Sequence, residues 1–292
     1  MNGNFHHRRI QMNKKFFKVA ALAAASICSS AAMGGSIFLT GHDVDLHDGQ
    51  NGFDNVILDY LRGSGTATAI AAGSYDIGVV RGASGSIGSV GVNTYEGFGT
   101  ITVREMSSFA SAADFSSFLS SVDVLAVSSH TSCGGCSFTD ADSAALNSFS
   151  SQVTSFFNAG GDIYGNSGAS LATYYDFLPP SAVASGLPIG GSSGFTATSA
   201  GTAIGISDAA PSMINGFPTH NRFTGFVPAF TVFENRGDEI ISIGVRDARI
   251  GDGGVIVTPP NPIPEPETYA LMLVGIGAVG WYTRRRRRTV RD

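Results

Sequence analysis

Short apolar runs separated by helix-like stripes dominate the first two thirds of this 292-residue chain, and that alternation limits the architectures open to it. "SIFLT" (36–40) reads as a buried strand, and Phe53, Val56, Ile57, Tyr60 and Leu61 follow at the i, i+3, i+4, i+7, i+8 spacing of a helix face. "DIGVV" (76–80) and "TITVRE" (100–105) are further strands. A helix over 114–121, with Phe115, Phe118 and Leu119 on one face, leads into "VDVLAVSS" (122–129), the expected central strand. The clearest helix begins at a cap on Thr139 or Asp140. It carries Leu146, Phe149, Val153, Phe156 and Phe157 on one side and stops at Gly160-Gly161. "DIYGNSG" returns as strand and turn, and a short helix is expected over 171–177 before Pro179-Pro180. Strands alternating with amphipathic helices predict an α/β domain with a largely parallel sheet covered on both faces. Beyond Pro188 only strands remain. "FTVFE", "EIISIGV" and "GGVIVT" predict an antiparallel C-terminal extension of the sheet.

The two ends carry a different kind of information. From Met12 the chain reads "MNKKFFKVAALAAASICSSAAMGGS". Lys14, Lys15 and Lys18 precede an apolar stretch (19–27) and the small residues Ser30-Ala31-Ala32, the order of a secretory signal peptide. Residues 1–34 are therefore assigned to a signal peptide with an N-terminal extension, and 35–258 to the globular domain. A single anchor helix is the alternative for the first segment. Cys28 follows Ile27 rather than a small residue, which argues against lipoprotein cleavage. At the other end a proline-rich spacer (259–266) precedes an uncharged, proline-free run (269–283) and then Arg284, Arg285, Arg286, Arg287 and Arg288. As a helix that run is about 22 Å long, short for a bilayer. Arginines after it would stay on the cytoplasmic side, giving a single C-terminal transmembrane helix with the body outside the inner membrane.

Pro264-Glu265-Pro266, the apolar run and the arginine cluster together resemble the PEP-CTERM sorting signal of Gram-negative bacteria. The resemblance covers about thirty residues, with 259–266 as the spacer that carries the motif and 267–292 as the sorting signal, and implies processing by an exosortase and delivery to the cell surface or extracellular matrix, in a setting of exopolysaccharide production. The Sec translocon and signal peptidase are the partners expected at the N-terminal segment. An ordinary membrane anchor is the simpler reading of the apolar run and arginines alone.

Once both ends are set aside, the body holds seven arginines, no lysine and 20 acidic residues, a balance of about −13. Such a surface repels phosphate backbones, so nucleic acid is excluded as a partner, and it attracts divalent cations.

"IFLTGHD" (37–43) and "FFNAGGDIYGNSGA" (156–169) resemble the class I glutamine amidotransferase-like flavodoxin fold, to which ThuA-like proteins are related. That family places a cysteine at a sharp strand-to-helix turn; the matching turn here, Gly165-Asn166-Ser167-Gly168, has none. Its histidine-x-glutamate pair is also missing, since Asn221 and Arg222 follow His220. Both departures argue against amidotransferase chemistry.

Four groups of residues could carry chemistry. His42, Asp43, Asp45, His47 and Asp48 cluster after the first strand, where open α/β sheets form their crevice. Imidazoles with carboxylates suit a divalent cation, and the same residue types also build ordinary turns. Cys133-Gly134-Gly135-Cys136 follows the central strand. Export favours a small disulfide there; a redox pair and a metal shared with His130 are the alternatives. Ser167 with His220 as base would make a nucleophile pair if the fold joined them. "PTHNRFTGFVPAF" (218–230) is either a carbohydrate-facing loop or a packed return segment. The sequence thus predicts an exported protein with a structural or ligand-binding role, the alternative being a secreted hydrolase or amidase with a non-cysteine site.

Overall fold

A computed structural model describes residues 34–47, 50–63, 65–66, 69–83, 95, 97–178, 185–224, 229–251 and 256–257. The chain divides into two compact units, Met1–Ala32 and Met33–Asp292, and every described residue belongs to the second. The signal peptide, Asp48, the PEP motif, the apolar run and the arginine cluster lie outside the described residues. Among the described residues no helix is long and apolar enough to cross a membrane.

Five strands form a parallel set: β1 (Gly35–Thr40), β2 (Ile77–Arg81), β3 (Ile101–Glu105), β4 (Val124–Val127) and β5 (Asp162–Gly165). Their order across the sheet is β3-β2-β4-β5-β1. The expected flavodoxin-like order is 2-1-3-4-5. Numbered from β2, the four strands β2, β3, β4 and β5 take the first four places of that order, and β1 occupies the place of the fifth. The expected antiparallel extension is present. β10 (Glu239–Ile250) pairs antiparallel with β1, so β1 lies between the parallel and antiparallel halves. Beyond it stand β8 (Asn221–Thr224) and β6 (Ser185–Pro188). β9 (Thr231–Arg236) pairs with β10, β7 (Thr196–Ala197) with β9, and β11 (Ile256–Val257) with β10.

Connections β1→β2 and β2→β3 move toward one edge of the sheet, and β3→β4 and β4→β5 move back. Right-handed crossovers require such opposed moves to use opposite faces. The helices divide accordingly. Phe53, Ile57, Leu58 and Leu61 of α1 (Phe53–Leu61) pack with Phe38, Ile77, Val124 and Tyr164 on one face. On the other face Phe115, Phe118 and Leu119 of α2 (Ala112–Leu119), Leu146 of α3 (Asp140–Ser148), and Val153 and Phe157 of α4 (Ser150–Asn158) pack with Ile37, Leu39, Leu125, Val127 and Ile163. Neighbouring residues of β1, β4 and β5 alternate between the two clusters, as the period of a strand demands. A short helix, α5 (Ser199–Ile204), adds Ala200 and Ile204 to the α1 face.

Three helix expectations need correction. Beyond Pro188, where strands alone are expected, Thr198 caps the helix α5 by accepting from Gly201 N. The single helix after Thr139 is two, α3 and α4, broken at Phe149 (φ −98°, ψ 15°). The Phe149 ring stacks on Phe115 at 4.9 Å, so packing between helices fixes the break. Thr139 is the cap, in a reciprocal capping box with Asp142. Residues 171–177 form successive turns rather than a helix. There the Tyr174 hydroxyl donates to the Ser128 carbonyl (2.7 Å) and the Tyr175 hydroxyl to the Asn166 carbonyl (3.0 Å), so tertiary bonds override local preference.

The amino edge of the parallel set is pinned by aspartates, each of which opens an apolar run in the sequence. Asp76 accepts from Thr100 N (2.6 Å), Asp123 from Asp76 N (2.8 Å), and Asp162 from Ser36 N (2.6 Å). These bonds satisfy strand-end N–H groups that no ladder reaches. Asp162 also accepts from the buried Tyr75 hydroxyl at 2.7 Å. Burial pushes its carboxyl up to about 7 against those two donors, and the nearby Asp123 charge adds to the rise.

Between the ordinary carboxylate range and pH 7, the folded chain holds a proton on Asp162 that the unfolded chain has released. Stability therefore falls as pH rises through that window. Denaturant unfolding at pH 5 and pH 8 should show a loss on the order of 2 kcal/mol from this group. Asp162→Asn keeps an acceptor for Ser36 N and should show a smaller loss over the same interval. Equal losses in the two proteins would mean that Asp162 is already ionised at pH 5.

Candidate functional site

Three loops meet at the carboxyl ends of β1, β4 and β5. The first approach depends on Gly41, where a side chain would run into the Asn221 carbonyl. Without one, Gly41 N donates to the Ile241 carbonyl (2.8 Å), and the Gly41 carbonyl accepts from His220 N (2.9 Å). His42 and Thr219 form an antiparallel bridge. Residues 219–221 are thereby laid beside 41–43. Turn bonds from Leu46 N to the Asp43 carbonyl (3.0 Å) and from His47 N to the Val44 carbonyl (3.1 Å) fold the next residues back.

The result is a carboxylate between two imidazoles. Asp43 Oδ2 lies 3.3 Å from His47 Nε2 and 3.3 Å from His220 Nε2. The Asp43 side chain is 1% exposed, and those of His47 and His220 are 29% and 22% exposed, so the pair links a buried acid to solvent. Burial pushes the Asp43 carboxyl up, but the two histidines outweigh it, and its pKa falls below the ordinary range. Contact with Asp43 in turn raises that of His47. Asp43 Oδ1, His47 Nε2 and His220 Nε2 are all buried without an aligned hydrogen-bond partner, so the two 3.3 Å approaches are ion-pair contacts rather than formed hydrogen bonds.

The loop after β4 supplies the third part. Cys133 and Cys136 are joined by a disulfide, with Cα atoms 5.9 Å apart. Cys136 Sγ stands 3.8 Å from Asp43 Oδ2. Cys136 is buried, Cys133 is half-buried, and the intervening Gly134 and Gly135 are exposed. Gly134 takes φ +98° to end the turn Thr131–Cys133, a conformation in which glycine meets no steric penalty.

The remaining sequence candidates diverge from this point. His42 is fully buried, with Nε2 2.8 Å from Glu234 Oε1 and Nδ1 2.7 Å from Thr219 Oγ1. Glu234 also accepts from Ser242 (2.8 Å), whose hydroxyl lies 3.0 Å from that of Thr40, so this network ties β1 to β9 and β10. Asp45 accepts from Ser129 N (2.9 Å) and Ser129 Oγ (2.6 Å) and holds the β1 loop to the end of β4. Burial raises its pKa despite those donors. His42, Asp43, Asp45 and His47 therefore do not converge on one point. Among the described residues, the set of three potential ligands with mutually close donor atoms is Asp43, Cys133 and Cys136. With the sulfurs bonded to each other, only the carboxylate of that set is left to a cation.

Ser167 and His220 face different partners. The Ser167 hydroxyl donates to Asn221 Oδ1 (2.9 Å) and accepts from Ala169 N (3.1 Å), while His220 Nε2 faces Asp43. His130 is held by Ser132 (2.8 Å) and Asp140 (2.8 Å), away from the cysteines' shared carboxylate. In 218–230, Phe223 and Phe230 are buried in the core, while 225–228 lie outside the described residues. Sequence reasoning did not pair His220 with Asp43, because 177 residues separate them and no local spacing marks the contact. It also missed Asn221, whose Oδ1 accepts from the Ser167 hydroxyl (2.9 Å) and Gly168 N (2.9 Å). Glu234 left a faint signal, as an acid inside an apolar strand.

Arranged in this way, the site can store and pass protons beside a sulfur pair. Comparison with known proteins speaks to a different part of the chain. Neither a curated protein nor a solved structure matches it, so no match supports the likeness of the body to glutamine amidotransferase-like proteins. Residues 262–288 match the PEP-CTERM protein-sorting motif, which implies export through exosortase-type sorting.

Proposed function

We propose that this chain is an exported protein of the cell surface or extracellular matrix whose body binds rather than hydrolyses. The observation that carries this reading is the sorting motif at 262–288. In the proposal the Sec translocon exports the precursor and signal peptidase removes the first segment. The apolar run (269–283) then holds the chain transiently in the inner membrane, with Arg284 to Arg288 inside and the body in the periplasm. An exosortase acts at the PEP spacer, whose proline-rich sequence favours an accessible processing site. Association with exopolysaccharide follows from the same sorting context. The lysine-free, acidic body supports work outside the cell and away from nucleic acid. The hydrolase alternative draws no support from Ser167, whose hydroxyl is committed to Asn221.

Fractionation of tagged protein tests the route. Deleting 264–292 should move most of the protein from the envelope or surface fraction into the medium or periplasm. Replacing Arg284 to Arg288 with neutral residues should reduce retention while leaving export intact. Mass mapping of the native chain should find new termini near Ala32 and close to the PEP motif. Unaltered delivery of both variants would remove the basis of the assignment.

A further inference from the structure

We propose that Cys133–Cys136 is a redox-active pair that exchanges with dithiols of exported polypeptides. Cys133 is the sulfur attacked, and Asp43 passes the proton between Cys136 and the imidazoles of His47 and His220. This goes beyond the sorting proposal and rests on it only for the export of the chain; loss of export would show in fractionation, whereas failure of the exchange would show in the thiol counts of the purified chain.

A purely structural purpose for the bridge is poorly supported. It encloses two residues, so it removes little entropy from the unfolded chain. The loop is already clamped by backbone bonds from Thr131 N to the Phe138 carbonyl (2.8 Å), Phe138 N to the Ser129 carbonyl (3.1 Å) and Cys133 N to the His130 carbonyl (3.0 Å). Opening the bridge would leave those bonds in place.

The surroundings favour the reduced form. A disulfide sulfur has no proton to give the carboxylate 3.8 Å away, whereas a Cys136 thiol would donate to Asp43 Oδ2. Cys136 N points at Cys133 Sγ from 3.0 Å, and that bond strengthens when the sulfur becomes a thiolate. The first contact is thus made only after reduction, and the second strengthens whenever Cys133 is the thiolate that the exchange passes through. Such a bias raises the reduction potential of a disulfide and makes it an oxidant toward other thiols. Exposure is arranged to match. Cys133 is the more accessible sulfur beside exposed Gly134 and Gly135, and Cys136 is buried against the acid.

The exchange balances without a further reagent. A substrate thiolate attacks Cys133 Sγ, the Cys133–Cys136 bond breaks, and Cys136 leaves as a thiolate. That anion would stand beside a carboxylate, so it takes a proton relayed through Asp43 from the ring of His47 or His220, each with Nε2 3.3 Å from Asp43 Oδ2 and a partly exposed side chain. The second substrate thiol, as its thiolate, then attacks the substrate sulfur of the mixed disulfide. Cys133 leaves as a thiolate and takes up a proton from water. The substrate dithiol has become a disulfide, and the two electrons rest on the Cys133 and Cys136 thiols.

The test uses mature chain purified from the exported fraction. Dithiothreitol is the dithiol probe, and native free thiols are counted by alkylation and mass measurement. Wild-type protein should be reduced without denaturant, and Asp43→Asn should react about tenfold more slowly or worse. The double variant His47→Gln/His220→Gln tests the relay if Asp43→Asn fails to fold, and it should also be slowed. In Cys136→Ser, incubation with a disulfide-linked peptide should trap a mixed disulfide on Cys133. A bridge that resists millimolar dithiothreitol until the protein is denatured would overturn the proposal. So would reduction of the foldable relay variants at the wild-type rate, or failure of Cys133 to be trapped.

Discussion

Strand β1 is hydrogen-bonded along both edges and buried on both faces, and the rest of the domain is organised around that constraint. All six of its residues are buried. It pairs parallel with β5 and antiparallel with β10, so it alone carries the hydrogen-bond ladder from one half of the sheet to the other. Such a strand must be apolar on successive residues, which Ile37-Phe38-Leu39 satisfies. Its entry must also be narrow: a side chain at Gly35 would meet the Gly161 carbonyl. Its exit delivers Gly41 to Asp45 directly to the carboxyl end of β4, where Ser129 holds Asp45. The same six residues thus join the two halves and position the site.

Charge inside this domain is handled mainly by neutral donors. Asp54 accepts from the Tyr164 hydroxyl (2.6 Å), Asp162 from Tyr75 and Ser36, Asp45 from Ser129, and Glu234 from Ser242. The arginines are engaged nearer the surface, as in the pairs Arg104–Asp114 and Arg236–Glu239. A buried carboxylate without a cation beside it is stable only when its donors are fixed, because an unmet lone pair in the interior costs about as much as a lost hydrogen bond. Tyrosine hydroxyls on packed rings meet that need, with the ring anchored in the core and the hydroxyl aimed at the acid. Asp43 departs from this rule. Its partners are two partly exposed imidazoles and a sulfur, which can change protonation or oxidation state.

Much of the fold was legible because it rests on local periodicity. Strands β1, β2, β4 and β5 and helices α1 and α2 announce themselves through apolar spacing, and the aspartates opening three runs mark where strands begin. What was not legible depends on contacts between distant segments. The break at Phe149 comes from its ring stacking on Phe115, and the turns at 171–177 come from tyrosine hydroxyls reaching two strand ends. Strand order is likewise invisible to periodicity, so the placement of β1 beside β5 could not be read. The candidate site was half legible. Asp43 and His47 stand four residues apart, and the two cysteines three apart, so each pair was visible as a pair. That they share one carboxylate follows only from the way the loops cross.

The crossing itself has a topological cause. In open α/β sheets the crevice opens where neighbouring strands send their connections in opposite directions, here between β2 and β4. β1 stands two places away from β4, with β5 between them. Residues after β1 reach that region only if something holds them across the end of β5, and the bonds from Ser129 to Asp45 do so. With Asp45 fixed at the end of β4, Asp43 lies against the loop that β4 feeds, and Cys136 is the residue it meets. The same side chain that looked like a cation ligand in the sequence therefore acts as a strut. The strut brings an acid from the β1 loop into contact with a disulfide from the β4 loop, across the end of β5.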